Sequence, residues 1–165
     1  VVIGIGNIGK AVTRRAKAFG MKVLGTDIID VDHVFVGESG IEITDLDTLL
    51  ANSDFVSVNC DLNSTSHHLI NANTLSKMKP TAVLINTARG PIVDEKALGV
   101  ALSSGQVGGA ALDVFEYEPL PLDSPLLKMD NVMLAPHNSN SSPTAWERIH
   151  WSTIKNLVEG LGLVL

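Results

Sequence analysis

The sequence predicts an α/β chain built on a doubly wound parallel sheet, and three observations lead there. Short runs rich in Val, Ile and Leu alternate with stretches of helical periodicity along the whole chain, the order that lays parallel strands side by side under helices. Apolar residues make up 45% and aromatic residues only 4%, which suits a sheet buried on both faces beneath Ala-rich helices. The first run, Val1-Val2-Ile3, breaks into Gly4-Ile5-Gly6-Asn7-Ile8-Gly9, and Ala11 to Phe19 then follow with helical periodicity.

The third observation narrows the fold class to a Rossmann-type dinucleotide-binding domain. In a strand, tight turn and helix of this order, Gly4 permits the turn, Gly6 lets a pyrophosphate approach the backbone, and Gly9 lets the helix sit close on the strand. The helix amino terminus would face the phosphates with unpaired N–H groups and the positive end of its dipole. Glycine-rich turns are common; this one counts because a β-branched strand precedes it and a helical pattern follows. A second strand, Met21 to Thr26, ends at Asp27, 18 residues past Gly9 (27 minus 9). That is close to where such a fold puts the carboxylate that accepts hydrogen bonds from the adenosine ribose. Ile28 and Ile29 follow it and no arginine awaits a 2′-phosphate, so NAD is expected over NADP.

The remaining elements follow in order. After Asp27 the chain reads as polar and irregular through Gly40, then as a weak strand at Ile41 to Ile43. Thr44 is the expected N-cap of a short helix whose Leu46, Leu49 and Leu50 share one face. Phe55-Val56-Ser57-Val58 is the next strand, ending in the polar loop Asn59 to His67. A helix around Asn73 to Met78 stops at Pro80, and the apolar strand Ala82-Val83-Leu84-Ile85 delivers Asn86-Thr87-Ala88-Arg89-Gly90. Asp94 opens a helix to about Ser104, with Gly105 as its stop. Gly109 to Val114 is a strand followed by a Pro-rich loop through Pro125, and Val132-Met133-Leu134 is a strand ending at Ala135-Pro136-His137. From about Pro143 a long amphipathic helix carries Trp146, Ile149, Ile154, Leu157 and Val158 and reaches Glu159. Ligands of such sheets bind beyond the carboxyl ends of the strands. Asp27, Asn59 to Asn63, Thr87 to Arg89, Asp113 and His137 all lie there, so five strand ends are expected to converge on one crevice.

Bulk properties exclude several partners. A net charge of −6 without a Lys/Arg cluster argues against nucleic acid or an anionic membrane. Cys60 is the single cysteine, which excludes an internal disulfide and fits a reducing compartment, read as cytoplasmic. No apolar run approaches bilayer length. The 165 residues make one domain, and because they begin inside a strand without an initiator Met, a fragment of a longer chain is expected.

Three segments beyond the glycine turn carry a resemblance. Ile85-Asn86-Thr87-Ala88-Arg89-Gly90-Pro91-Ile92-Val93-Asp94-Glu95-Lys96-Ala97-Leu98 is similar to an arginine signature, Ala111-Leu112-Asp113-Val114-Phe115-Glu116-Tyr117-Glu118-Pro119 to an acidic one, and Asn131 to His137 to a Pro-His one. Together they resemble the NAD-binding domain of the D-isomer-specific 2-hydroxyacid dehydrogenases, in the phosphoglycerate dehydrogenase-like group, over nearly the whole chain. The resemblance implies Arg89 as the substrate-anchoring arginine, Glu118 as the carboxylate behind the histidine and His137 as acid/base. It implies Asp113 as the holder of the nicotinamide carboxamide, and Asn7, Ile8, Cys60, Thr87 and Ala88 along the dinucleotide. It further implies a small 2-hydroxy or 2-oxo acid substrate, a homodimer through this domain, and a missing substrate domain built largely from upstream residues. The chain alone is then expected to bind NADH without turnover, its half-cleft open to water. A non-enzymatic NADH sensor or co-repressor of the same fold could keep Arg89, Glu118 and His137, so that alternative stays open.

The chemistry supports these residue types independently. Oxidising C2 of a hydroxy acid requires removal of the hydroxyl proton, and an imidazole can take and return a proton near neutral pH. A carboxylate on its other nitrogen fixes the tautomer and stabilises the imidazolium. An arginine fork pairs both oxygens of a substrate carboxylate. Two loops depart from the family pattern: Asn59 and Asp61 stand where His and Pro are usual, and Asn138 to Ser142 replace a glycine-containing turn. Adjacent His67 and His68 project differently and lack acidic company, so no metal is expected. Cys60 reads as a small loop residue, Glu116 as solvent-facing, and Trp146 and Trp151 as packing or interface groups.

Overall fold

Val2 and Ile3 are consecutive, and a strand sends consecutive side chains to opposite faces of its sheet. In the computed structural model of the chain, which describes residues 1–163, Val2 packs with Ile5, Val23, Phe35 and Ile41. Ile3 belongs to a larger cluster that includes Leu49, Leu50, Val56, Val58, Leu84, Leu98 and Leu112. One two-residue strand therefore feeds two cores, as a sheet covered on both faces requires.

That strand, β1 (Val2–Ile3), is the hub of a seven-stranded sheet. On one side lie β2 (Leu24–Thr26) and β3 (Glu42–Ile43). On the other lie β4 (Phe55–Val58), β5 (Val83–Asn86), β6 (Gly109–Leu112) and β7 (Val132–Leu134). The order is β3-β2-β1-β4-β5-β6-β7 and every pairing is parallel, with Val2 facing Gly25 on one side and Ser57 on the other. The winding reverses between β1 and β4, so the loops after these two strands splay apart into a crevice at the switch point.

The helices are α1 (Asn7–Ala18), α2 (His33–Ser39), α3 (Leu46–Ala51), α4 (Ala72–Leu75), α5 (Glu95–Ser103) and α6 (Pro143–Gly160). Several depart from the sequence expectation for local reasons. The stretch before Gly40, read as irregular, holds α2: the Asp32 carboxylate accepts from Val34 N–H at 2.9 Å and Gly40 closes the helix at φ 62°. Phe35 is its single buried residue, too little to register as an apolar stripe. The cap of α3 is Asp45 rather than Thr44, its Oδ1 accepting from Thr48 N–H at 2.9 Å. The next helix starts earlier than Asn73, because Asn71 caps it in a reciprocal capping box with Thr74, and it ends at Leu75 rather than Met78. β2 begins at Leu24, not Met21, since β1 offers only two residues to pair with. Asp94 caps α5 by accepting from Ala97 N–H, and Gly105 follows its end at φ 73°. α6 starts from a Ser142 cap and has no fully buried residue; Trp146, Ile149, Trp151, Ile154 and Leu157 are all exposed. Among the described residues no helix is long and apolar enough to cross a membrane.

Candidate active site

Because all strands run parallel, the loops after β1, β2, β4, β5, β6 and β7 leave the same end of the sheet, where Asp27, Asn59 to Asn63, Thr87 to Arg89, Asp113 and His137 follow their strands. At the switch point a groove of about 660 Å³ is lined by Gly4, Gly6, Asn7, Ile8, Asp27, Ile28, Ile29, Asn59, Cys60 and Asp61, among others. Gly4 turns at φ 86°, and a Cβ there would lie 2.6 Å from the Cys60 backbone nitrogen. The helix is equally close: a Cβ on Gly9 would sit 2.0 Å from the Gly4 carbonyl oxygen. A Cβ on Gly6, by contrast, would meet nothing within 4 Å, so that backbone faces the open groove. No side chain caps α1 and its first turn carries no acidic residue. Its leading N–H groups and dipole are therefore free of a competing carboxylate.

At the far wall the Asp27 Oδ2 accepts from Ile5 N–H at 2.6 Å and Oδ1 from Ile29 N–H at 3.3 Å. The carboxylate is thus held by backbone on two sides and keeps lone pairs toward the groove. Ile28 and Ile29 beside it are 77% and 71% exposed and bring no cation. A turn shaped by close backbone contact, an uncapped helix start and a fixed acid fit an anionic dinucleotide whose ribose carries free hydroxyls.

A contiguous groove of about 500 Å³ is lined by Ile8, Asn59, Cys60, Asp61, Thr87, Ala88 and Arg89, among others. Asn59 turns back, donating to the carbonyl and hydroxyl of Ser57, while Asp61 is exposed on the rim. The Cys60 thiol is half-buried; burial first, then the charges of Asp27 and Asp61, push its pKa up, so it stays protonated. The sequence reading gave Asn86 no role, yet it organises the next turn. Buried at the end of β5, its Oδ1 accepts from Ala88 N–H at 3.1 Å and its Nδ2 donates to the Arg89 carbonyl at 3.0 Å. A lone Asn ending an apolar strand was the available signal, since a buried amide has to be satisfied locally. Arg89 is exposed beyond that turn, its Nη1 donating to the Ala88 carbonyl at 2.6 Å.

The loops after β6 and β7 bring Glu118 and His137 together. His137 Nδ1 and Glu118 Oε2 are 2.7 Å apart, and Glu118 Oε1 accepts from Phe115 N–H at 3.0 Å. The hydrogen bond from His137, then that from Phe115 and the charges of His137 and Arg89, hold the Glu118 carboxyl below its ordinary value against the opposing effect of burial. An ionised Glu118 makes Nδ1 the donor, which leaves Nε2 as the proton-accepting nitrogen. His137 has φ 54°, an unfavourable conformation for a side chain of its size. Asp113 supplies the constraint: almost fully buried, its two oxygens accept from Asn138 and Ser139 N–H, both at 2.9 Å. Burial would raise its pKa, but those bonds and the His137 charge prevail and lower it.

Glu116 does not face solvent as expected from the sequence. Its Oε1 is 2.6 Å from His68 Nε2 and its Oε2 accepts from Glu95 N–H at 3.0 Å. Among the described residues, no three His, Cys, Asp or Glu side chains gather as a metal site.

Residues 1–139 match the model of a family described as "D-isomer specific 2-hydroxyacid dehydrogenase, NAD binding domain". The chain belongs to that family. This NAD-binding domain is 47% identical over 157 residues to a glyoxylate reductase of Korarchaeum cryptofilum, covering 95% of this chain and 47% of that protein. It superposes on the crystal structure of a glyoxylate reductase from Paecilomyes thermophila with a TM-score of 0.90 at 37% identity, over 99% of this chain and 50% of that one. A D-isomer specific 2-hydroxyacid dehydrogenase from Lactobacillus delbrueckii ssp. bulgaricus, solved in NAD-complexed form, gives a TM-score of 0.85 at 31% identity over 99% and 53% of the two chains. The chain spans about half the length of the curated relatives it matches.

Proposed function

We propose that this domain supplies the NAD(H) site and the catalytic Arg89, Glu118 and His137 of an oxidoreductase that interconverts a D-2-hydroxy acid and its 2-oxo acid. The observation that carries the reading is the 2.7 Å pairing of His137 Nδ1 with Glu118, beside Arg89, at the same end of the sheet as the cofactor groove. When bound, NAD accepts the hydride from C2 and NADH returns it. His137 Nε2 takes the hydroxyl proton in oxidation and gives it back in reduction. Glu118 keeps that nitrogen free and stabilises the positive charge the ring acquires. Arg89 pairs with the substrate carboxylate through its planar fork and, in reduction, draws charge toward the adjacent carbonyl.

Cofactor placement falls to the first turn and its neighbours. The uncapped start of α1, with Asn7, Ile8 and the glycines Gly4, Gly6 and Gly9, would hold the pyrophosphate; Asp27 would hold the adenosine ribose. Cys60, Thr87 and Ala88 would wall the nicotinamide half. Each Asp113 oxygen accepts one backbone N–H and keeps a lone pair for the carboxamide.

The similarity to glyoxylate reductases supports a small 2-oxo acid as substrate. The fuller protein is proposed to add a substrate domain that closes the cleft, to work in the reducing cytoplasm, and to form a homodimer through this domain. NADH oxidation by the full-length protein with a panel of 2-oxo acids, glyoxylate first, tests the activity. Turnover is expected; tight NADH binding with no turnover on any member of the panel would instead favour an NADH sensor.

A further inference from the structure

Glu118 and Arg89 stand on different loops, so something has to fix the distance between them. Three contacts close around Glu116, whose side chain is only 21% exposed. Its Oε1 meets His68 Nε2 at 2.6 Å, its Oε2 accepts from Glu95 N–H at 3.0 Å, and its own N–H donates to Glu95 Oε2 at 3.2 Å. Each arm leads to a catalytic segment. His68 N–H donates to the Pro91 carbonyl at 2.9 Å and Ile70 N–H to the Ile92 carbonyl at 3.0 Å, which ties residues 68–70 to the chain leaving Arg89. Phe115 N–H, one residue from Glu116, orients Glu118. Between the two, a Cβ on Gly90 would lie 1.9 Å from the Phe115 carbonyl oxygen, so the backbones next to Arg89 and Glu116 are in direct contact.

Two features show that this arrangement is held at a cost. His68 adopts φ 50°, a strained conformation for a non-glycine residue, and in it delivers its ring to Glu116. Glu95 is driven toward its neutral form by burial and by the neighbouring Glu116 charge, against the hydrogen bond from Glu116 N–H. A carboxylate pair of this kind brings no obvious gain in stability alone.

We infer that Glu116, gripped by His68 and the Glu95 backbone, is a positioning residue that sets the spacing between Arg89 and the Glu118–His137 pair. This rests on the oxidoreductase reading, in which one small molecule must reach the guanidinium with its carboxylate and the imidazole with its C2 oxygen. A misplacement of about 1 Å in such a site costs on the order of 100-fold in rate.

The test uses the full-length protein with Glu116→Ala, Glu116→Gln, His68→Ala and the double alanine variant. Glu116→Ala should lower kcat/KM for the 2-oxo acid by about 10- to 100-fold. The KM for NADH should hold within about two-fold, because neither Glu116, His68 nor Glu95 lines the cofactor grooves. Glutamine keeps an oxygen for Glu95 N–H and an amide N–H that can donate to His68 Nε2, so it should restore most of the rate. His68→Ala should match Glu116→Ala, and the double variant should be no worse than either. Carbon NMR of Glu118 gives a readout that needs no turnover: its titration should move back up toward 4.5 in Glu116→Ala. Kinetics within about two-fold of the parent, equal losses in NADH and 2-oxo acid terms, or additive single variants would each overturn the assignment. If the parent turns over no 2-oxo acid, the oxidoreductase reading fails separately. The Glu118 titration then decides the positioning role alone, and an unmoved value rejects it.

Discussion

Glutamine in place of Glu118 is nearly isosteric, yet it should cripple the site through hydrogen-bond direction. Glu118 presents two acceptors to two donors, Phe115 N–H at 3.0 Å and His137 Nδ1–H at 2.7 Å. Glutamine has one acceptor oxygen and one amide nitrogen. With the oxygen on Phe115, the amide donates to Nδ1, forces the proton onto Nε2 and leaves no base facing the substrate. With the oxygen on His137, the amide N–H groups oppose Phe115 N–H and the side chain swings out. Either outcome removes the positioned base and the charge that stabilises the imidazolium. The expected loss in kcat for oxidation of the hydroxy acid is about 10²- to 10⁴-fold, or about 2.7–5.4 kcal/mol of barrier at 1.36 kcal/mol per tenfold. Reduction should suffer too, since the variant no longer favours the protonated ring as donor. Steady-state kinetics in both directions on the full-length protein, with NADH binding followed by fluorescence, provide the assay. If Glu118→Gln oxidises substrate within a few-fold of the parent while the fold is intact, the tautomer argument is wrong.

Three further outcomes are expected. Asp27→Ala removes the proposed ribose acceptor and the bond from Ile5 N–H; NADH affinity should fall by about tenfold or more, while NADPH affinity changes less, read by titration calorimetry. Acid should unfold the domain in part through Glu118 and Asp113, whose carboxyls are held below 4.5 and 3.8 in the folded chain. A lowered folded value gives stability that is complete above the unfolded pKa and lost as pH falls through the folded one, so Asp113→Ala should flatten the pH dependence of denaturant midpoints below about pH 4. Asp113→Asn leaves one acceptor for two part-buried N–H donors, Asn138 and Ser139; it should cost about 1 kcal/mol in stability and reduce turnover by releasing His137, measured by urea unfolding and kinetics.

Most of the fold is legible in the sequence because the strands are apolar and the caps are chemical. Val132–Leu134 and Phe55–Val58 lie where the apolar runs put them, and Asp94 starts α5 where an acidic cap is expected. α2 escaped because a single buried Phe35 makes no periodicity; its signals were the end groups Asp32 and Gly40. The early start assigned to β2 reflects Met21 to Val23, whose hydropathy resembles a strand's but which lie beyond the reach of two-residue β1. At the candidate site, Glu118 and His137 could be named through residue type and segment similarity. Their closeness, and the control of His137 by Asp113 through the next two N–H groups, depends on loop geometry that sequence spacing does not encode. Glu116 is the clearest instance: two residues from Glu118 and charged, it reads as surface, and only the folded path of residues 68–70 brings His68 to it.

Replacement of His137 by alanine in the full-length protein tests the central claim most directly. The account predicts kcat for 2-oxo acid reduction lower by about 10²- to 10⁴-fold, with NADH still bound in the groove beside Gly6. Turnover within a few-fold of the parent would contradict it and remove the imidazole from the chemistry.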